Sequence, residues 1–180
     1  NINTWNVTNV LNMSSMFENT SAYNQPLNQW DVNSVVNMGS MFKNAALFNQ
    51  QIDVWDVSAV ATMTSMFESA SVFNQPLNSW NVSSVTAVDS MFKASMLFNN
   101  PLNNWTVASV TNMMSMFEDA TAFNQPLNNW DTDEVLNMQA MFKSASTFDQ
   151  NIDTWNVSFV STMEDMFREA STYNQTMNSW

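Results

Sequence analysis

The chain contains no cysteine and no histidine. Without thiols there is no disulfide framework and no thiolate metal site, and without imidazole the commonest metal ligand and general base is missing. Cations are nearly as scarce. Four Lys and Arg stand against 16 Asp and Glu, a formal net charge of −12, which repels phosphate backbones and anionic membrane surfaces and argues against nucleic acid as a partner. No apolar run approaches the roughly 20 residues that span a bilayer, and no charged-then-apolar signal segment opens the chain. The start at Asn1, without Met, is that expected of a processed or excised stretch of a longer chain. Nothing in the composition calls for a cofactor.

What is present is a repeat. All eight Trp, at Trp5, Trp30, Trp55, Trp80, Trp105, Trp130, Trp155 and Trp180, stand 25 residues apart. A Met-Phe pair keeps the same interval from Met16-Phe17 to Met166-Phe167, and an aromatic follows six residues after each Phe, from Tyr23 to Tyr173. There are no insertions and no linker-like stretch, so residues 1–180 read as one domain, a single uncapped array of about seven 25-residue repeats. The apolar share of 45% is enough for a real core.

Within the second copy two periodicities suggest two elements. Leu27, Trp30 and Val32 end in alternation, with Asp31 pointing away, which predicts a short strand. Val35, Met38, Met41, Phe42 and Ala45 follow the three-four spacing of a short amphipathic helix. Pro26, Pro76, Pro101 and Pro126 fix the backbone where a loop would enter the strand. Strands stack at ~4.8 Å whereas helices need about 8–10 Å, so such an array must curve. The expected fold class is therefore α/β: a right-handed leucine-rich-repeat-like solenoid, with a concave parallel sheet and convex helices.

The unit WDVNSVVNMGSMFKNAALFNQ, with its variants WNVTNVLNMSSMFENTSAYNQPLN and WDVSAVATMTSMFESASVFNQPLN, resembles the 25-residue repeat of BspA-like leucine-rich-repeat surface proteins and of mycoplasmal surface lipoproteins. The resemblance covers the whole chain. It implies a cell-surface or extracellular protein, with adhesion or recognition roles as in some relatives, and no catalysis. Departures are few: Thr132 stands for Val, Val88 for Met, and Gln51, Asn151 and Thr176 for Pro.

Equivalent residues of neighbouring copies should form columns. After each Met-Phe run Glu18, Lys43, Glu68, Lys93, Glu118, Lys143 and Arg168, a register of exposed ion pairs expected to contribute ~0–1 kcal/mol each. The column Asn24, Asn49, Asn74, Asn99, Asn124, Asp149 and Asn174 directly follows the second aromatic. Its amides suit the satisfaction of turn backbone groups, and Asn3, Asn28, Asp53, Asn78, Asn103, Asn128, Asp153 and Asn178 suit it too. The candidate binding column follows Trp: Asn6, Asp31, Asp56, Asn81, Thr106, Asp131 and Asn156. Alternation would place it on the concave face, where solenoids commonly bind. It could hydrogen-bond a glycan or accept a basic protein segment.

Other chemistry is thinly represented. Asp131, Asp133 and Glu134 offer oxygens to calcium but lie in no EF-hand loop. Asp53 with Asp56, or Asp131 with Asp133, could pair as glycosidase carboxylates, yet no position breaks the repeat as a grafted catalytic site would. Sequons occur at Asn6, Asn12, Asn19, Asn81, Asn104, Asn156 and Asn174, and matter only in a eukaryotic secretory setting. The Met columns suit core filling better than soft-metal binding, and no regular Thr rank favours ice. The expected function is a non-enzymatic extracellular or cell-surface scaffold that binds a protein or glycan. The alternative is a structural protein whose copies join end to end in a filament.

Overall fold

A computed structural model describes residues 2–180; Asn1 lies outside the described residues. The 25-residue period appears as successive coils of chain laid one on the next. Within the second coil Leu27, Trp30, Val32, Val35, Met38, Met41, Phe42, Ala45 and Phe48 are buried, and most of these steps are of three residues. Short backbone bonds explain the step. Trp30 N donates to Leu27 O, Val35 N to Val32 O, Met41 N to Met38 O, Ala45 N to Phe42 O and Phe48 N to Ala45 O, at 2.9–3.2 Å. Each bond closes a four-residue turn, so a run of such turns brings one side chain inward about every third residue.

The α/β expectation is overturned. Among the described residues there is no α-helix and no extended strand; the only helical segment is the 3-10 turn Ile2–Thr4. The parallel pairing is confined to one isolated bridge position per coil, running Asn12, Asn37, Thr62, Ala87, Asn112, Asn137 and Thr162. The chain is thus not a leucine-rich-repeat solenoid with a concave sheet and convex helices. The 35–45 segment fails as a helix because its alternate N–H groups leave their own coil. Met38, Ser40, Phe42 and Asn44 donate to the carbonyls of Thr62, Thr64, Met66 and Glu68 in the next coil, at 2.8–3.1 Å. An α-helix would have used them for bonds four residues back.

This pattern also demands left-handed backbone. Fourteen non-glycine residues have positive φ, in two columns headed by Ser15 (57°) and Asn19 (61°), and recurring for example at Ser40, Asn44, Ser90, Ala94, Ala140 and Glu169. Gly39, the single glycine, is not among them. Asn and Asp tolerate this region, whereas Ala and Glu are strained there by their Cβ. Replacing Ala94 (φ 55°) by glycine is therefore expected to raise stability by about 1 kcal/mol, read as an increase in the urea midpoint. In a helix the same change would cost about that much, so the sign of the shift distinguishes the two backbones.

The interior is aromatic. The Met-Phe phenylalanines Phe17, Phe42, Phe67, Phe92, Phe117, Phe142 and Phe167 stack coil on coil with centroids 5.3–5.7 Å apart. The column from Tyr23 through Phe48, Phe73, Phe98, Phe123 and Phe148 to Tyr173 runs beside it at 5.9–6.2 Å. Within a coil the two rings lie close, as in Phe42–Phe48 at 3.9 Å. Buried Trp closes the third side, and its indole also ties coils together. Trp55 Nε1 donates to Leu27 O, Trp80 to Ile52 O, Trp105 to Leu77 O, Trp130 to Leu102 O and Trp155 to Leu127 O, at 2.9–3.1 Å. A buried N–H is thereby paired while its ring fills the core. Where Thr132 replaces Val it stays buried because its hydroxyl donates to Asn156 O at 2.9 Å.

Candidate functional site

The column that follows Trp is exposed throughout, but it does not lie on a concave sheet, since no sheet exists. Asn6, Asp31, Asp56, Asn81, Asp131 and Asn156 each bend back on their own coil, Oδ1 accepting the backbone N–H two residues on, at 3.0–3.3 Å. Such Asx turns shape the corner after each Trp. Thr106, the one member without a carboxylate or amide, is exposed as well. Asp56 is further stabilised as an anion, its pKa lowered by hydrogen bonds from the Ser58 side chain and backbone. One oxygen of each carboxylate, in Asp31, Asp56 and Asp131, serves the corner.

Charge is divided unevenly around the coil. The four cations, Lys43, Lys93, Lys143 and Arg168, all stand in the column after Met-Phe. The corner near Trp carries Asp31, Asp53, Asp56, Asp131, Asp133, Glu134 and Asp153 with no cation. No group of three or more acidic side chains is gathered as a metal site would need among the described residues; Asp133 accepts from Asn156 Nδ2 at 2.9 Å. The sequon asparagines Asn6, Asn12, Asn19, Asn81, Asn104, Asn156 and Asn174 are all exposed.

The amide columns act in structure as their chemistry suggests. Asn24, Asn49, Asn74, Asn99, Asn124 and Asp149 each accept at Oδ1 the backbone N–H of the next member, at 2.9–3.0 Å. The same oxygen takes a side-chain amide from the following coil, Gln50 to Asn24 at 2.9 Å for instance. Asp149 fills the position as a carboxylate, and the amide of Gln175 and the N–H of Asn174 lower its pKa. The column of Asn3, Asn78, Asn103 and Asp153 likewise accepts N–H groups one coil on, at 2.8–3.1 Å.

The charged column departs from a row of equal exposed pairs. Lys43 pairs with Glu68 at 2.8 Å, but Glu118 takes both Lys93 (2.7 Å) and Lys143 (2.9 Å), one oxygen each, and is only 7% exposed. Arg168 turns instead to its own coil, to Asp165 and Glu169. Burial pushes the pKa of Glu118 upward, yet the hydrogen bonds from Lys93, Lys143 and Ser115 outweigh it and hold the carboxyl at about 2 against an ordinary 4.5. Because the folded pKa is depressed, this carboxylate stabilises the fold above the unfolded value and loses that contribution as pH falls from about 4.5 to about 2. The loss should be on the order of 2–3 kcal/mol. Denaturant titrations over that range should therefore show a slope that flattens in Glu118→Gln; an equal slope in both proteins would remove Glu118 as its source.

Some exposed residues escaped the reading of the sequence. Leu47, Leu97 and Met96 are each about half exposed, as are Val54, Leu136 and Phe159 or more so. They are outward positions where a large apolar side chain stands in a column mostly of small or polar residues, and comparing each column across copies would have singled them out.

No helix among the described residues is long and apolar enough to cross a membrane. No curated protein matches the sequence. The leucine-rich-repeat part of the resemblance finds no support, while its mycoplasmal part does. The family described as "Mycoplasma protein of unknown function, DUF285" matches residues 1–105 and again residues 94–180, and the chain belongs to that family.

Proposed function

We propose that the chain is a non-enzymatic scaffold displayed at the mycoplasmal cell surface, and that its acidic corner after Trp meets a protein or glycan partner. The observation that supports this is the contrast between inside and outside. Interior columns hardly vary, Trp and Phe recurring coil after coil, whereas outward columns change: Leu11, Val36, Ala61, Thr86, Thr111, Leu136 and Ser161 occupy one position. An invariant rod with a varied surface suits recognition, in which contacts differ while the frame is kept. No cleft opens among the described residues, so a partner would lie along the rod.

The corner column supplies a clean test. Asn already fills it at Asn6, Asn81 and Asn156 with the same Oδ1 bond, so Asp31→Asn, Asp56→Asn and Asp131→Asn together remove charge while keeping the turn. Adhesion of the purified protein to host-cell monolayers and glycan arrays should fall in the triple variant with its melting unchanged. Adhesion equal to that of the parent would sink the acidic corner as the contact. Protease treatment of intact cells should release peptides of the chain if it is displayed outside. The alternative of end-to-end assembly is separated by size-exclusion chromatography, where concentration-dependent growth to large species would favour it.

A further inference from the structure

The chain has 16 methionines and no thiol, so thioethers are its only readily oxidised sulfur. Fourteen of them keep the repeat. Thirteen lie in the two Met columns, from Met13 to Met163 and from Met16 to Met166, and Met177 stands in the column of Leu27. Those columns face inward: Met38, Met41, Met63, Met66, Met91, Met113, Met116, Met138 and Met141 are wholly buried. Met96 and Met114 alone break the register. Met96 stands where the other coils carry Ser21, Ala46, Ser71, Thr121, Ser146 and Ser171, and it is 52% exposed. Met114 is half-buried in a column that runs Ser14, Gly39, Thr64, Asp89, Gln139 and Glu164. Met16 and Met177 are also exposed, but their columns are covered in the interior coils.

We propose that Met96 is an oxidation site, the position at which the folded chain takes up an oxygen atom from a peroxide-class oxidant without losing its structure. The thioether sulfur attacks the peroxide, an S–O bond forms and the O–O bond breaks. Sulfur is oxidised by two electrons to the sulfoxide, and the peroxide, keeping both protons, leaves as water. The reaction is selective because susceptibility follows access to the sulfur. It is tolerated because about half of the Met96 side chain is in solvent and the backbone carbonyl anchors the residue, accepting from Ala122 N at 3.2 Å and Thr121 Oγ1 at 3.4 Å, bonds that a sulfoxide leaves in place. A sulfoxide in the Met66 or Met91 position would instead place a polar oxygen inside the aromatic stack. Beside Met96 the exposed Leu97 extends the apolar surface, and oxidation there converts part of that surface to polar.

Hydrogen peroxide titration of the folded chain, followed by peptide mass mapping, tests this. Met96 should oxidise at least about tenfold faster than Met66 and Met91, with Met114 between them, and in urea the rates should converge. After the first equivalent the melting temperature should be unchanged, and Met96→Leu should abolish oxidation of that peptide without altering the rates at Met66 and Met91. Equal rates at Met96 and Met66 in the folded chain, or a fall in melting temperature on modification of Met96 alone, would overturn the assignment.

Discussion

Replacing Phe92 by alanine is expected to destabilise the chain by about 3–5 kcal/mol. Phe92 is wholly buried and stacks on Phe67 and Phe117 in the coils before and after it, at 5.6 and 5.7 Å. It also packs on Phe98 at 4.1 Å and on Trp105 at 6.3 Å. Truncation therefore opens a cavity that four rings share, and rings held on both sides by neighbouring coils cannot collapse into it. The same change at Phe17, which stacks on a neighbouring coil on one side only, through Phe42 and Trp30, should cost about half as much. Because each coil touches only its neighbours, the loss at Phe92 also weakens the two central interfaces at once, and unfolding should lose cooperativity. Urea denaturation followed by tryptophan fluorescence gives both readings; a loss below about 1 kcal/mol at Phe92 would contradict a continuous aromatic column.

Ser90→Pro should cost at least about 3 kcal/mol. The residue has φ of 56°, which a pyrrolidine ring fixed near −65° cannot adopt, and its N–H donates to Met114 O in the next coil at 2.8 Å. Its side chain is partly exposed, so little of the effect can come from packing. The companion change Ser90→Gly isolates the backbone angle: it keeps the donor, relieves the left-handed strain, and should leave the midpoint unchanged or raised. If glycine and proline were both destabilising, the left-handed column would not be the cause.

Much of this architecture is readable in the residues. The period, the inward columns of Trp, Met and Phe, and the role of Asn24 and its successors all follow from repeated chemistry at a fixed interval. The secondary structure does not. Val35, Met38, Met41, Phe42 and Ala45 fit a helix as well as a run of turns, because Phe42 beside Met41 fills the four-residue step of a helix. The discriminating signal lies outside that window, in the steps of three from Leu27 to Trp30 and from Ala45 to Phe48, which one rule for the whole coil would have caught. The left-handed positions are harder to see. Ser, Ala, Asn, Asp and Glu share them without a glycine, so local propensity gives no cue and the bonds to the neighbouring coil impose the angle. The corner column after Trp was legible as outward-facing, but its supposed concave setting depended on a sheet that the turns replace.

The forward-pointing N–H groups give the rod an electrical direction. At every junction between coils four peptide units, such as those ending at Met38, Ser40, Phe42 and Asn44, point N–H toward the later coil and C=O toward the earlier one, and only one or two, such as those at Val36 or at Thr111 and Ala122, point back. Each peptide carries a dipole of about 3.5 D, so their surplus adds along the stack as it does along a helix, with the opposite sense. The partial positive charge gathers toward the coil of higher number. Where two such stacks meet end to end, these main-chain dipoles favour alignment in the same sense and disfavour the opposed one.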